Sequence, residues 1–195
     1  MTSAWSGLVL WMFFATSVTA GTASIVSSAS LVTKVYFPRE ALPLAATGSA
    51  MLDLGIGLLT VVALIAIGGA EVTRYSLLVL LPVAMLVCWT AAVSVFLGAV
   101  AVFARDTLHL VQLVVRVGIF ATPVFYGAEV LPSSLAWLEV INPVAVAIEA
   151  FRSLALCGVA PDWRLLLAHG VAASCALVGS VLYVRSVESR ISDLV

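Results

Sequence analysis

Charged positions in this chain are few and bunched, and long apolar runs separate the bunches. From Tyr75 to Ala104 no residue is charged, and about 20 apolar residues suffice to cross a bilayer as a helix. The pattern predicts five spans, over residues 5–25, 42–69, 76–104, 107–126 and 165–184. The second tolerates Asp53, the fourth contains Arg116 and the last His169. The first is rich in Ser, Thr and Gly, small residues that let helices approach closely in lipid, and so reads as a packed, bundle-facing helix. A membrane barrel would need alternating apolar and polar positions in segments of about ten, which these continuous runs do not offer. The start, MTSAWSG, has no Lys or Arg before its apolar run, and the run outlasts a secretory signal, so the segment reads as a transmembrane helix. The expected fold class is therefore an all-α polytopic membrane bundle.

Residues 127–160 break the pattern: the segment is too apolar for an ordinary loop, yet Pro132 and the Asn142-Pro143 pair divide it. Asn142 is placed to cap a short helix with Pro143 at its first position, where a missing N–H costs nothing. Neither piece reaches the length of a span. Two short helices that dip in from the outer face and return fit the segment, because irregular backbone at membrane depth is tolerated where protein or a water-filled cavity covers it. An interfacial hairpin lying on the bilayer is the competing reading. Glu149 and Arg152, spaced i, i+3 on the second piece, suit a local ion pair that either steadies this helix or holds an outer gate closed.

Composition confirms the membrane setting, with 63% hydrophobic and 10% charged residues and a mean hydropathy of +1.21; soluble domains carry about a quarter charged residues. A net charge of −1 without a basic run argues against nucleic acid as a partner. Cys88, Cys157 and Cys175 are isolated, so they read as packed thiols rather than metal ligands, and no metal site is expected. Lys34, Arg39, Arg105, Arg185 and Arg190 fall on one side of the predicted topology and mark it as cytoplasmic, together with the C-terminus.

The heptapeptide KVYFPRE, Lys34 to Glu40, holds three charges, two aromatics and the chain's only lysine. A P-loop needs Gly-Lys-Ser/Thr, whose lysine reaches the terminal phosphates, and Lys34 stands in VTKVY. The chain is therefore not its own P-loop ATPase. Tyr36 and Phe37 form an apolar knob between Lys34 and Arg39, Val35 precedes them, and Pro38 can start the next span with Glu40 in its first turn. This is either a set of topology anchors or a docking element. Asp53 and Arg116 are expensive in hydrocarbon, so each should face the bundle interior and find a partner, either the other or nearby Ser, Thr and backbone groups.

SLVTKVYFPREALPLAA, FARDTLHLVQLVVRVGIFATPVFYGAEVLP and INPVAVAIEAFRSLALCG, in this order and at these distances from the spans, resemble the membrane subunit of ABC-2 type exporters, in the branch exporting polysaccharides, O-antigen and teichoic acid. The resemblance implies that residues 27–40 form a cytoplasmic coupling segment docking on a separate ABC ATPase subunit, with Lys34, Val35, Tyr36, Phe37, Pro38, Arg39 and Glu40 at the contact. It implies a homodimer in the bacterial inner membrane, with the first helix near the seam, and a substrate that is a glycan or lipid-linked glycan. The chain itself would hold no cofactor, ATP and Mg being bound by the partner. It also implies an amphipathic helix and one span ahead of Met1, making this chain five spans of six. A glycan path should offer aromatic faces and hydroxyls, and the candidates are Trp11, Phe13, Phe14, Phe120, Phe125 and Tyr126. A drug or lipid exporter is the alternative transporter, and a membrane-embedded enzyme or structural protein the alternative class; the chain has no Asp-rich or His/Glu cluster for such an enzyme.

Overall fold

The computed structural model describes residues 2–28, 38–68, 76–125 and 136–188. Every regular element among them is helical. The order is α1 (Thr2–Ser27), α2 (Ala41–Ile67), α3 (Leu80–Phe103, preceded by a tight turn at Ser76–Val79), α4 (Thr107–Ala121), α5 (Ala136–Ile141), α6 (Pro143–Arg152, continued by a wide turn at Ser153–Cys157) and α7 (Trp163–Ser186). Four helices, α1, α2, α3 and α7, are long and apolar enough to cross a membrane. Together they give the all-α polytopic membrane bundle expected from the sequence.

The element over 107–126 is shorter than expected. Helix α4 has 15 residues, roughly 22 Å of rise against a hydrocarbon core of about 30 Å. Thr122 leaves the helix with φ −105° and ψ 138°, because Pro123 behind it disfavours helical geometry at the preceding residue. The capping of α6 matches its sequence: Asn142 accepts hydrogen bonds from the N–H groups of Val144 and Ala145, with Pro143 at the first position. Its amide donates to the Thr122 hydroxyl at 2.9 Å, so one side chain joins the break after α4 to the start of α6.

Helix α1 is the centre of the bundle, packing broadly on both α2 and α3 and more narrowly on α4. Its small residues set the spacing. A Cβ built on Gly21 lies 2.5 Å from the Ser94 Cβ, and one on Gly98 lies 3.0 Å from the Gly21 carbonyl oxygen and 3.1 Å from Pro43. The Ser94 hydroxyl crosses this seam to the Ser17 carbonyl. Around it Ile25, Val95, Ala99, Val102 and Val184 form one apolar cluster, while Leu10, Phe13, Leu54, Leu86, Ile148 and Phe151 belong to the larger one nearer the other end. Helix α7 lies on the far side of α3, tied by Trp89 Nε1 donating to the His169 carbonyl at 3.1 Å and by the Phe96–Tyr183 ring contact.

Arg152 locks the end where α1 begins. It is 5% exposed, and its guanidinium donates to the carbonyls of Ser3, Pro123 and Val124 at 3.2, 2.9 and 2.6 Å. Pro123 and Val124 follow α4 in a turn and bend, so their carbonyls lack helical partners, and a guanidinium supplies donors to several at once. Gly7 leaves it room: a Cβ there would stand 2.7 Å from Arg152 Nη2.

Two stability predictions follow from this packing. Gly21→Val should force α1 off α3 and cost about 1 to 3 kcal/mol of overpacking, whereas Gly48→Ala, where an added Cβ meets nothing within 4 Å, should leave thermal stability in detergent unchanged or raised. Arg152→Met should leave buried carbonyls unsatisfied at about 1 to 3 kcal/mol each, with Arg152→Lys falling between; midpoint temperatures of the purified variants check the order.

Candidate functional site

At the end of the bundle where α2 begins and α7 finishes, two charged residues are buried in an otherwise apolar setting. Arg39 is 8% and Glu40 7% exposed. Glu40 Oε1 accepts from Arg185 Nε at 2.8 Å, the one salt bridge among the described residues, and Arg39 Nη1 donates to the Glu188 carbonyl. Residues distant in sequence are thereby joined: the start of α2 is clamped to the end of α7. Of the predicted coupling residues, Pro38, Arg39 and Glu40 are described, and Arg39 and Glu40 are committed to this clamp rather than standing free. Lys34, Val35, Tyr36 and Phe37 lie outside the described residues.

A second feature runs along the bundle. Helix α1 is packed on α3 at its back, with α2 on one flank and α4 on the other, and α2 and α4 are not packed broadly on each other. The remaining face of α1, carrying Trp5, Met12, Thr16 and Ala20, is exposed. These positions recur at helical spacing, so they form one stripe, the floor of a trough with α2 and α4 as walls. On the α2 side a cavity of about 290 Å³ is lined by Trp5, Leu8, Met12, Thr16, Asp53 and Gly57, among others. Trp5 Nε1 donates to the Thr60 hydroxyl at 2.9 Å. On the α4 side, Thr107 and Val111 are buried and Gly118 abuts Trp11. Val114 faces the cavity shared with α3. Gln112 and Arg116 are exposed and stand on faces of α4 turned away from these contacts.

Of the two intramembrane charges picked from the sequence, Asp53 lines the trough cavity from α2 and Arg116 is exposed on α4. Their depths agree. Both α2 and α4 run antiparallel to α1: an added Cβ on Gly57 meets Val9, and one on Gly118 meets Trp11. Asp53, four residues before Gly57, and Arg116, two before Gly118, therefore both lie level with the turn of α1 that holds Phe13. They do not pair within the chain, since Glu40–Arg185 is the one salt bridge found among the described residues. Both are exposed, rather than turned to the interior of this chain as expected. The reason is that α2 and α4 contact α1 through their small and branched residues, leaving the charges on the outer flanks.

The other candidates are dispersed. Trp11 and Phe13 are 5% and 2% exposed; Phe13 lines the cavity of about 290 Å³ together with Asp53, while Trp11 lies against Gly118 and contacts the half-buried Phe14, ring centroids 5.6 Å apart. Trp11 and Phe14 line a cavity of about 280 Å³ on the opposite side of α4 from the trough, with Trp89, Asn142 and Pro143. Phe120 and Phe125 are 75% and 55% exposed, and Tyr126 lies outside the described residues. Glu149 is exposed and lines a cavity of about 150 Å³ with Pro123, Asp162 and Leu165, while Arg152 turns inward to carbonyls. The i, i+3 ion pair suggested by their spacing is not formed, because three backbone acceptors hold the guanidinium more firmly than one exposed carboxylate would. Sequence reading missed Thr16 and Arg185; the only signals for them were an exposed-stripe spacing on α1 and a basic residue in the last turn of α7.

The family model described as ABC-2 type transporter matches residues 3–156. An O-antigen export system permease protein RfbA of Klebsiella pneumoniae is 29% identical over 158 residues, covering 79% of this chain and 60% of its own length. A second from Klebsiella pneumoniae is 26% identical over 155 residues, with 78% and 60% covered. The protein of the same name from Myxococcus xanthus is 29% identical over 166 residues, with 83% and 63% covered. The chain spans about three-fifths of the length of these curated relatives. With the family model covering most of the bundle, from α1 through α6, this multi-pass membrane protein belongs to the ABC-2 type transporter family.

Proposed function

We propose that the chain forms the membrane-spanning permease part of an ATP-driven exporter in the bacterial inner membrane, carrying a polysaccharide or lipid-linked glycan. ATP and Mg are bound by a separate ABC ATPase subunit, and the permease works as a homodimer with its C-terminus in the cytoplasm. The trough is the observation that carries this reading. A hydrophilic chain crossing a bilayer needs hydroxyls, charges and aromatic edges at membrane depth, and Thr16, Asp53 and the Trp5–Thr60 pair provide them at one open face. One copy supplies only half an enclosure, and a second copy across a twofold axis closes it. The O-antigen export function named for the relatives in Klebsiella and Myxococcus supports the same substrate class. The clamp at Glu40 and Arg185 supports the coupling assignment, because a segment that receives force must be anchored to the spans it moves.

Addition of the cognate ATPase to the purified full-length permease should give a complex whose ATP turnover depends on the permease, and the permease alone should bind no nucleotide. Nucleotide binding by the permease alone, or failure of any ATPase to co-purify from the native membrane, would overturn the reading. Replacing both Tyr36 and Phe37 with Ala should weaken the complex by several kcal/mol, buried interface aromatics commonly costing about 2 kcal/mol or more each. Unchanged ATPase affinity and turnover in a correctly inserted Tyr36→Ala/Phe37→Ala protein would move the contact elsewhere. Arg39→Glu, by contrast, breaks the clamp to α7, and its effect should appear as lost stability that added salt does not mimic.

A further inference from the structure

We infer that Arg185 is a positioning residue for energy coupling: through Glu40 it holds the first turn of α2 in register on the last turn of α7, so that movement imparted to the coupling segment by an ATPase reaches α7. The inference rests on the coupling reading above and names the side chain that passes the movement on. Its first support is what the pair is made of. Glu40 is buried, yet what it meets is a charge, with Arg185 Nε 2.8 Å from its Oε1. Two apolar side chains would hold these helix ends together about as well, because leaving water offsets much of the attraction between buried charges. A carboxylate and a guanidinium add direction: their contact forms at one setting of α2 against α7 and is lost at others. Arg39 Nη1 on the Glu188 carbonyl supplies a second point, and two points fix a register that one would leave free to rotate. Each charge also suits its own helix, the carboxylate at the start of α2 and the guanidinium in the last turn of α7.

The second support is where the pair stands in the packing. Among the described residues, α7 lies broadly on α3 and narrowly on α6, and is not packed broadly on α1 or α2. Helix α2, for its part, rests mainly on α1. The two helices therefore belong to different sides of the bundle along most of their length and are tied at one end. There Leu42 packs on the apolar cluster of Ile25, Val102 and Val184, and Gly98 sits close against Gly21 and Pro43. Apolar contacts hold the ends together without fixing how far one slides on the other; the directional pair fixes that. Without Arg185, a displacement at the start of α2 reaches α7 by way of α3, and with it the displacement arrives directly.

The test uses the full-length permease in lipid nanodiscs, titrated with its cognate ATPase while permease-dependent ATP turnover is read. Arg185→Ala should lower the maximal turnover roughly tenfold while the half-saturating ATPase concentration stays within about twofold of wild type. Arg185→Lys should keep part of the turnover. Glu40→Gln, which preserves the shape of the side chain, should show the same split and stands in should Arg185→Ala fail to fold. Because both act through one contact, the double variant should lose no more than Arg185→Ala alone. The inference is overturned if both single variants turn over like wild type, if affinity falls along with turnover, or if the two losses simply add. It is equally overturned if the loss follows a lower midpoint temperature and disappears in a cooler assay, since that is a structural role only. In each of these outcomes the wild-type complex still couples, and the coupling reading stands. A wild-type permease that neither binds the ATPase nor raises its turnover would remove that reading and this inference with it.

Discussion

The close approach of α1 to α3 at Gly21, Ser94 and Gly98 is the constraint on which the rest of the bundle depends. In lipid no hydrophobic force draws one apolar helix to another, so association comes from close van der Waals packing and occasional interhelical hydrogen bonds. Small residues permit that closeness, and the Ser94 hydroxyl on the Ser17 carbonyl adds a polar stitch. With its back held against α3, α1 offers its flanks to α2 and α4, and its front is exposed among the described residues. The trough is the geometric remainder of this packing.

The two ends of the bundle are fixed by arginines in different ways. Arg152 collects carbonyls from α1 and from the turn beyond α4, and so closes the backbone accounting where Pro123 stops a helix short. At the other end, the charged groups are split between two elements: Glu40 with Arg185, and Arg39 with the Glu188 carbonyl. The first arrangement is a knot among backbone atoms, which resists movement in any direction. The second joins the beginning of one span to the end of another, so displacement at the N-terminal side of α2 reaches α7 directly.

Polar placement explains why the aromatic candidates and the charged candidates part company. Aromatic side chains in α1 gain most by filling the angles between helices, and Trp11 does so against a glycine of α4. Asp53 and Arg116 make no ion pair with one another or with any other of the described residues, and they are left exposed.

The sequence alone determined the class of fold, because bilayer thickness fixes how many apolar residues a helix needs and those runs are countable in one dimension. It also determined the cap at Asn142, a local matter of one side chain and the next three residues. The signal that shortens α4 was present in Thr122-Pro123 and lay hidden inside an otherwise apolar run. Which face of α1 is open, which charges share a depth, and that Arg39 and Glu40 turn toward α7 rather than outward were decided only by the tertiary structure. In a helix that is apolar on every side, periodicity carries no direction, and the facing is set by where the neighbouring helices find glycine, serine and a free carbonyl.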